Sequence, residues 1–221
     1  MTSRTFTPTL TSTPRTSGDK SALRVLGIDP GTQTVGYGFI EMRAGRCEHV
    51  DYGEIRMPRD LAFPRRLKRI HDSILELIDR TRPDAVCVEE TYVTSNAKTT
   101  LRLGHARGVI LLAAVERGVS VAEYAPREIK MAVLGGGGAG KGQVQWMVCQ
   151  LLKLEPSGIS EDAADALAAA LCHGFRSGGA AHSIREKFPM KPDPPRSEAG
   201  RDPSPEIPSR TAGSDGRTGK A

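Results

Sequence analysis

The feature of this chain that most restricts its fold is a change of hydrophobic period along residues 23–175. Three apolar or alternating runs, Leu23–Ile28, Gly36–Met42 and Cys47–Arg56, read as successive strands, the last two joined by a turn at Ala44-Gly45. Leu67, Ile70, Ile74, Leu77 and Ile78 then recur at helical spacing, with Pro64 near the start and Pro83 just past the end. Ala85–Glu89 is a short strand. Ser95 or Asn96 is placed to cap a long helix that stops at Gly118, and a strand follows at Val119–Tyr124. Pro126 opens a shorter helix to about Leu134. Beyond a glycine run, two more helices are predicted near Gln143–Leu152 and Glu161–Phe175. The order β-β-β-α-β-α-β-α-α-α predicts an α/β domain with one mixed five-stranded sheet, its first three strands antiparallel, and helices on both faces.

The flanks differ in kind. Residues 1–22 (Thr, Ser, Pro) and 176–221 (Gly, Pro, Ser and mixed charge) hold too little apolar area to fold, and both are expected to be disordered extensions. The chain has 31 basic and 26 acidic residues; removing three and one in residues 1–22, and nine and six in 176–221, leaves 19 of each. The basic pI therefore belongs to the ends and points only weakly to a polyanion. A neutral core with a concentrated acidic site must carry its bases elsewhere, which is compatible with a local nucleic-acid face. Cys47, Cys87, Cys149 and Cys172 are widely spaced without a CxxC pair and read as reduced thiols. No stretch approaches the roughly 20 apolar residues of a membrane span, and a cytoplasmic location is expected.

Chemistry concentrates in four carboxylates at the ends of different elements. Asp29 ends the first strand before Pro30-Gly31; Glu89 and Glu90 end the fourth; Asp162 and Asp165 sit three apart, on one face of the last helix. Each has a plain explanation: a turn-capping Asp, a strand-end acid, N-terminal acids favoured by the helix dipole. Asp165 fits that explanation least, because it lies a turn further in among alanines. Strand alternation puts Glu89 with Cys87 and Ala85, and Glu90 with Val88, without saying which glutamate faces the site. If the first strand lies beside the fourth, Asp29 and a strand-end glutamate are neighbours about 5 Å apart. The last helix then supplies two more acids, a ligand set for two divalent cations roughly 4 Å apart that grip a phosphodiester.

Gly27-Ile-Asp-Pro-Gly31 with Gly36-Tyr-Gly38, Val88-Glu89-Glu90, Leu103-Gly-His-Ala-Arg-Gly108, and Asp162-Ala-Ala-Asp165-Ala-Leu-Ala occur in the order of the RuvC family of bacterial Holliday-junction resolvases, and the chain resembles that family across residues 23–175. The resemblance implies a ribonuclease-H-like fold, a homodimer, and cleavage of four-way DNA junctions with magnesium or manganese. It implies Asp29, Glu89, Asp162 and Asp165 as metal ligands, and so selects Glu89 over Glu90. It also implies DNA contacts from Lys130 and Lys141, an aromatic at Tyr92 that stacks on an unpaired base, and the RuvA–RuvB motor as partner. Glu90 departs from the pattern, which has a neutral or basic residue there.

Gly135-Gly-Gly-Gly-Ala-Gly140-Lys141 fits the start of a P-loop. The next residue is Gly142, so the hydroxyl for magnesium is absent, and a helix precedes the run where a strand is required. A flexible loop delivering Lys141 to a phosphate fits better. Arg102 and Arg107 share the long helix with Gly104, Ala106 and Gly108, whose size permits close approach of another helix; the default partner is its own sheet, and the resemblance implies a symmetry mate. His71, His105 and His173 read as structural, and Trp146 as core. The expected reaction is in-line hydrolysis leaving 5′-phosphate and 3′-hydroxyl ends, with Asp29 bridging two ions and Lys141 adding charge at the phosphate. The rivals are a nuclease of the same fold acting on RNA or other DNA, a non-cutting junction binder, and an ATP-binding protein of the actin type, for whose second domain residues 23–175 leave no room.

Overall fold

The computed structural model describes residues 22–90, 96–135 and 141–178; the sequence expectations for residues 1–21, for Tyr92 and for residues 179–221 lie outside these, whereas Ala22 joins the first strand and residues 176–178 continue the last helix rather than belonging to disordered extensions. Five strands form: β1 (Ala22–Asp29), β2 (Thr34–Arg43), β3 (Arg46–Arg56), β4 (Ala85–Glu89) and β5 (Ser120–Tyr124). They make one sheet in the order β3-β2-β1-β4-β5. β1, β2 and β3 pair antiparallel, whereas β4 joins β1, and β5 joins β4, in parallel. The β2–β3 hairpin turns at Ala44 and Gly45, both with positive φ, as a two-residue turn that matches strand twist requires.

The helices are α1 (Phe63–Thr81), α2 (Ala97–Glu116), α3 (Pro126–Leu134), α4 (Lys141–Leu152) and α5 (Glu161–Gly178). Local chemistry sets their ends. Pro64 occupies the first turn of α1, and Arg82 closes it in the left-handed region, donating its N–H to Ile78. Of the two candidate caps for α2, Asn96 accepts from the Lys98 and Thr99 N–H groups, at 3.0 and 3.2 Å. The hydroxyl of Ser160 accepts from the Ala163 N–H at the start of α5. A single 3-10 turn, Pro156–Gly158, is the element that sequence periodicity is too short to register.

Alternation along β1 and β4 divides the core. Leu26, Ile28, Val86 and Val88 face Ile70, Ile74, Ile110 and Ala114 of α1 and α2. Val25, Ala85 and Cys87 face α3, α4 and α5 through Ile129, Val148, Leu167 and Leu171. Trp146 does not join this core: its residue is 50% exposed. The buried stripe of α4 is Val144, Met147, Val148 and Leu152, and a residue two past Val144 falls on the opposite side of the helix. The cysteines are free, three of them buried and Cys47 half-buried.

The closest packing is of α5 on the sheet. A Cβ added to Gly27 would overlap the Ala166 carbonyl oxygen and lie 2.8 Å from the Ala170 nitrogen. One on Gly36 would overlap the Asp162 carbonyl, and one on Gly38 would lie 2.6 Å from Leu167 Cγ. These glycines face α5 because Gly27 pairs with Gly38, and Gly36 with Asp29. On its side α5 offers Ala163, Ala166 and Ala170, all buried. Gly27→Ala or Gly36→Ala is therefore expected to cost about 1–3 kcal/mol or more, since backbone rather than a flexible side chain must yield. Gly142→Ala, with nothing within 4 Å, is expected to be neutral or to stabilise by up to about 1 kcal/mol. Urea unfolding of the three variants checks this.

Candidate active site

Asp29 is the last residue of β1, and alternation from Val25 and Gly27 turns it to the α5 side of the sheet. The parallel register pairs Ile28 with Val88, so the next step sets Asp29 beside Glu89. Glu89 follows Ala85 and Cys87 on that same side. Glu90 turns away: it is exposed, and its N–H donates to the Tyr124 carbonyl at 2.9 Å. Asp162 stands over Gly36, the cross-strand partner of Asp29, and Asp165 is one turn further along α5. Asp29, Glu89, Asp162 and Asp165 are all half-buried.

The electrostatics follow from this gathering. The Asp29 carboxyl is raised from 3.8 to about 8, first by burial, then by Glu89, Asp165, Asp162 and Glu161 in that order. Every one of these causes acts in the same direction. Elsewhere in the sheet Asp51 is also raised by burial, yet Arg80 stands 3.0 Å away and pulls it back. Carboxylates crowded at a half-buried strand end have the oxygen-rich character that a hard divalent cation selects. Among the described residues, no three His, Cys, Asp or Glu side chains already form a closed ion-binding cluster.

Glu161, the acid that opens α5, is the member of this group that the sequence analysis did not single out, because an acid at a helix start is already favoured by the dipole. Its signal was its spacing, four residues before Asp165 and so on the same helical face. Lys130 is half-buried on α3. Lys141 begins α4, and its side chain lies outside the described residues, as does Tyr92. The histidines are engaged elsewhere. His71 lies 3.1 Å from Glu116, His105 meets the Leu101 carbonyl at 2.6 Å, and His173 meets the Tyr124 hydroxyl at 2.8 Å.

The family model for crossover junction endodeoxyribonuclease RuvC matches residues 25–173. The chain is 52% identical over 149 residues to the RuvC of Moorella thermoacetica, covering 67% of this chain and 89% of that protein. It is 52% identical over 151 residues to the RuvC of Halorhodospira halophila, covering 68% and 89%. Among solved structures it is similar to T. thermophilus RuvC in complex with Holliday junction substrate, at 34% identity and a TM-score of 0.67, covering 72% of this chain and 97% of that one. The mixed sheet with helices on both faces is thus the ribonuclease-H-like fold.

The Asp29 shift has a measurable sign. Folded Asp29 keeps its proton to about pH 8, whereas the unfolded chain releases it near 3.8. In the absence of cations this protonation stabilises the fold at low pH, and the contribution is lost as pH rises from about 4 to about 8. Asp29→Asn is expected to be more stable than the native chain in a chelator above that pH, by at least about 1 kcal/mol and hence with a higher melting temperature, the difference shrinking in acid. Melting curves across pH check it.

Proposed function

This chain belongs to the crossover junction endodeoxyribonuclease RuvC family, and we propose that it resolves four-way DNA junctions by paired, metal-dependent phosphodiester hydrolysis in recombination and repair. The observation that carries this is the Asp29 carboxyl, raised by burial and by four surrounding acids at the edge where β1 and β4 end. Such a group is stable as an anion only beside positive charge. Asp29, Glu89, Asp162 and Asp165 fit two magnesium or manganese ions. Bound there, those ions would neutralise the scissile phosphate, lower the pKa of an attacking water and stabilise the leaving 3′ oxygen.

The chain's own residues do the positioning. Asp29 is held by the β1 backbone between two strands, in the centre of the group, and with Glu89 and the two α5 aspartates it would hold the ions. Sheet and helix are rigid elements, so the carboxylates meet the phosphate in fixed directions. Lys141 adds positive charge at the phosphate, Lys130 contacts DNA, and Tyr92 stacks on an unpaired base. Products carry 5′-phosphate and 3′-hydroxyl ends, which a ligase seals directly.

A two-fold dimer matches the pseudo-symmetry of a junction and provides two cutting centres. The outer face of α2 supports this assembly. Leu101, Leu112 and Val115 are 65%, 51% and 65% exposed, with Gly104, His105 and Gly108 between them. An added Cβ on either glycine would meet nothing within 4 Å. A second copy of α2 is the occupant that this self-complementary stripe fits. The RuvA–RuvB complex is the proposed partner that delivers the junction, in the cytoplasm.

Cleavage of a four-way junction should exceed that of a matched duplex or structured RNA and should stop without divalent cations; equal rates would refute junction specificity. Asp29→Asn should still bind the junction while its cutting falls at least about 10³-fold. Leu112→Glu combined with Val115→Glu should give a monomer by analytical ultracentrifugation, with paired nicking abolished.

A further inference from the structure

β3 runs parallel to β1, since each is antiparallel to β2. The ends of β1, β3 and β4, at Asp29, Arg56 and Glu89, therefore lie along one edge of the sheet. The helices that follow β3 and β4 both start from that edge, and the first turn of α1 meets the second and third turns of α2. The Phe63 ring at the start of α1 lies 5.4 Å from the Arg102 guanidinium of α2 and 5.9 Å from the His105 ring.

The charge at this junction of helices is one-sided. Arg59, Arg65, Arg69, Lys98 and Arg102 are all exposed. Neither helix has an acid in its first turn. The acids nearby are engaged or few: Asp72 takes Lys68 at 2.6 Å, and Asp60 is the only other carboxylate between residues 57 and 75. Arg66 is fixed by the carbonyls of Leu61 and Arg59, at 2.7 and 2.6 Å, and braces the turn that presents Arg59. Arg65 and Arg69 are like charges at i and i+4, and cations near helix N-termini oppose the dipole; each arrangement disfavours the helix. An arrangement that weakens the fold at several positions is understandable where an external anion meets it.

We infer that Arg59, Arg65, Arg69, Lys98 and Arg102 form a track for the sugar–phosphate backbone of the junction, outside the cutting centre. The inference rests on the proposed junction-cutting activity, because the track shares its edge with Asp29 and Glu89. A line of phosphates suits it better than a single small anion. The five cations are exposed and spread over two helices and the turn before them.

Junction binding measured against salt concentration, in a chelator so that nothing is cut, tests it. Removing one phosphate neutralisation lowers the slope of log K against log salt by about 0.9, so combined Arg59→Gln, Arg65→Gln and Arg69→Gln should reduce it by about two to three. Affinity at low salt should weaken at least about tenfold. Lys98→Gln with Arg102→Gln should give a smaller change in the same direction, and keeps the test open if the triple variant folds poorly. Replacing the three arginines by lysine should preserve the slope, since backbone contacts need charge rather than a fixed fork. Native slope and affinity in both glutamine variants would overturn the track. A native chain that neither prefers nor cuts a junction would instead refute the activity beneath it, and the track with it.

Discussion

Everything at the acidic centre depends on how near a helix backbone can come to a sheet. Helices usually rest on sheets through intervening side chains, which hold the backbones apart. Here Gly27, Gly36 and Gly38 remove those side chains beneath α5, so that carbonyls of Asp162 and Ala166 occupy the space of missing Cβ atoms. The alanines of α5 complete the fit, while Leu167, Leu171 and Phe175 fill the core around them. Gly174 does the same at the far end, where an added Cβ would overlap the Met42 sulfur. The carboxylates are thereby brought together by backbone packing, which leaves little conformational freedom to lose when a substrate arrives.

That packing works against the charges it assembles. Burial and four neighbouring acids all raise the Asp29 carboxyl, so the cation-free centre is a local destabilisation that the rest of the core must outweigh. The treatment of Asp51 shows that the fold can neutralise a half-buried acid when nothing else is required of it, by setting Arg80 against it. Stability given up at one place and recovered across a large apolar core is the usual pattern for a site organised around chemistry.

Much of this was legible in the sequence, for a physical reason: the strands and most helices carry strong periods and definite ends. Pro64, Asn96, Pro126 and Ala44-Gly45 act through local backbone chemistry, and each marks its boundary correctly. Alternation also put Glu89 on the side of Ala85 and Cys87, though only the sheet register shows that Asp29 shares that side. Three things were not legible. The glycine floor depends on which face α5 covers, a tertiary fact. Glu161 was hidden because a helix-start acid already has an adequate local explanation. Trp146 was assigned to the core on hydrophobicity alone, whereas the phase of α4 turns it outward.

The neutral total charge of residues 23–175 conceals a strong separation along one edge. Asp29, Glu89, Glu161, Asp162 and Asp165 gather where β1 and β4 end and α5 starts, with Glu90 exposed just past the end of β4, while the opening turns of α1 and α2 carry cations. A polyanion approaching the acids alone would be repelled, and more strongly for the extra charge of Glu90 and Glu161. Cations placed inside the acidic cluster would relieve that repulsion but would compete with metal ions for the carboxylates. Cations displaced along the same edge avoid the conflict: they attract the backbone over a Debye length of about 8–10 Å without entering the carboxylate shell. On the proposed activity, DNA is then held from outside the centre, and the carboxylates are reserved for the ions that make the cut possible.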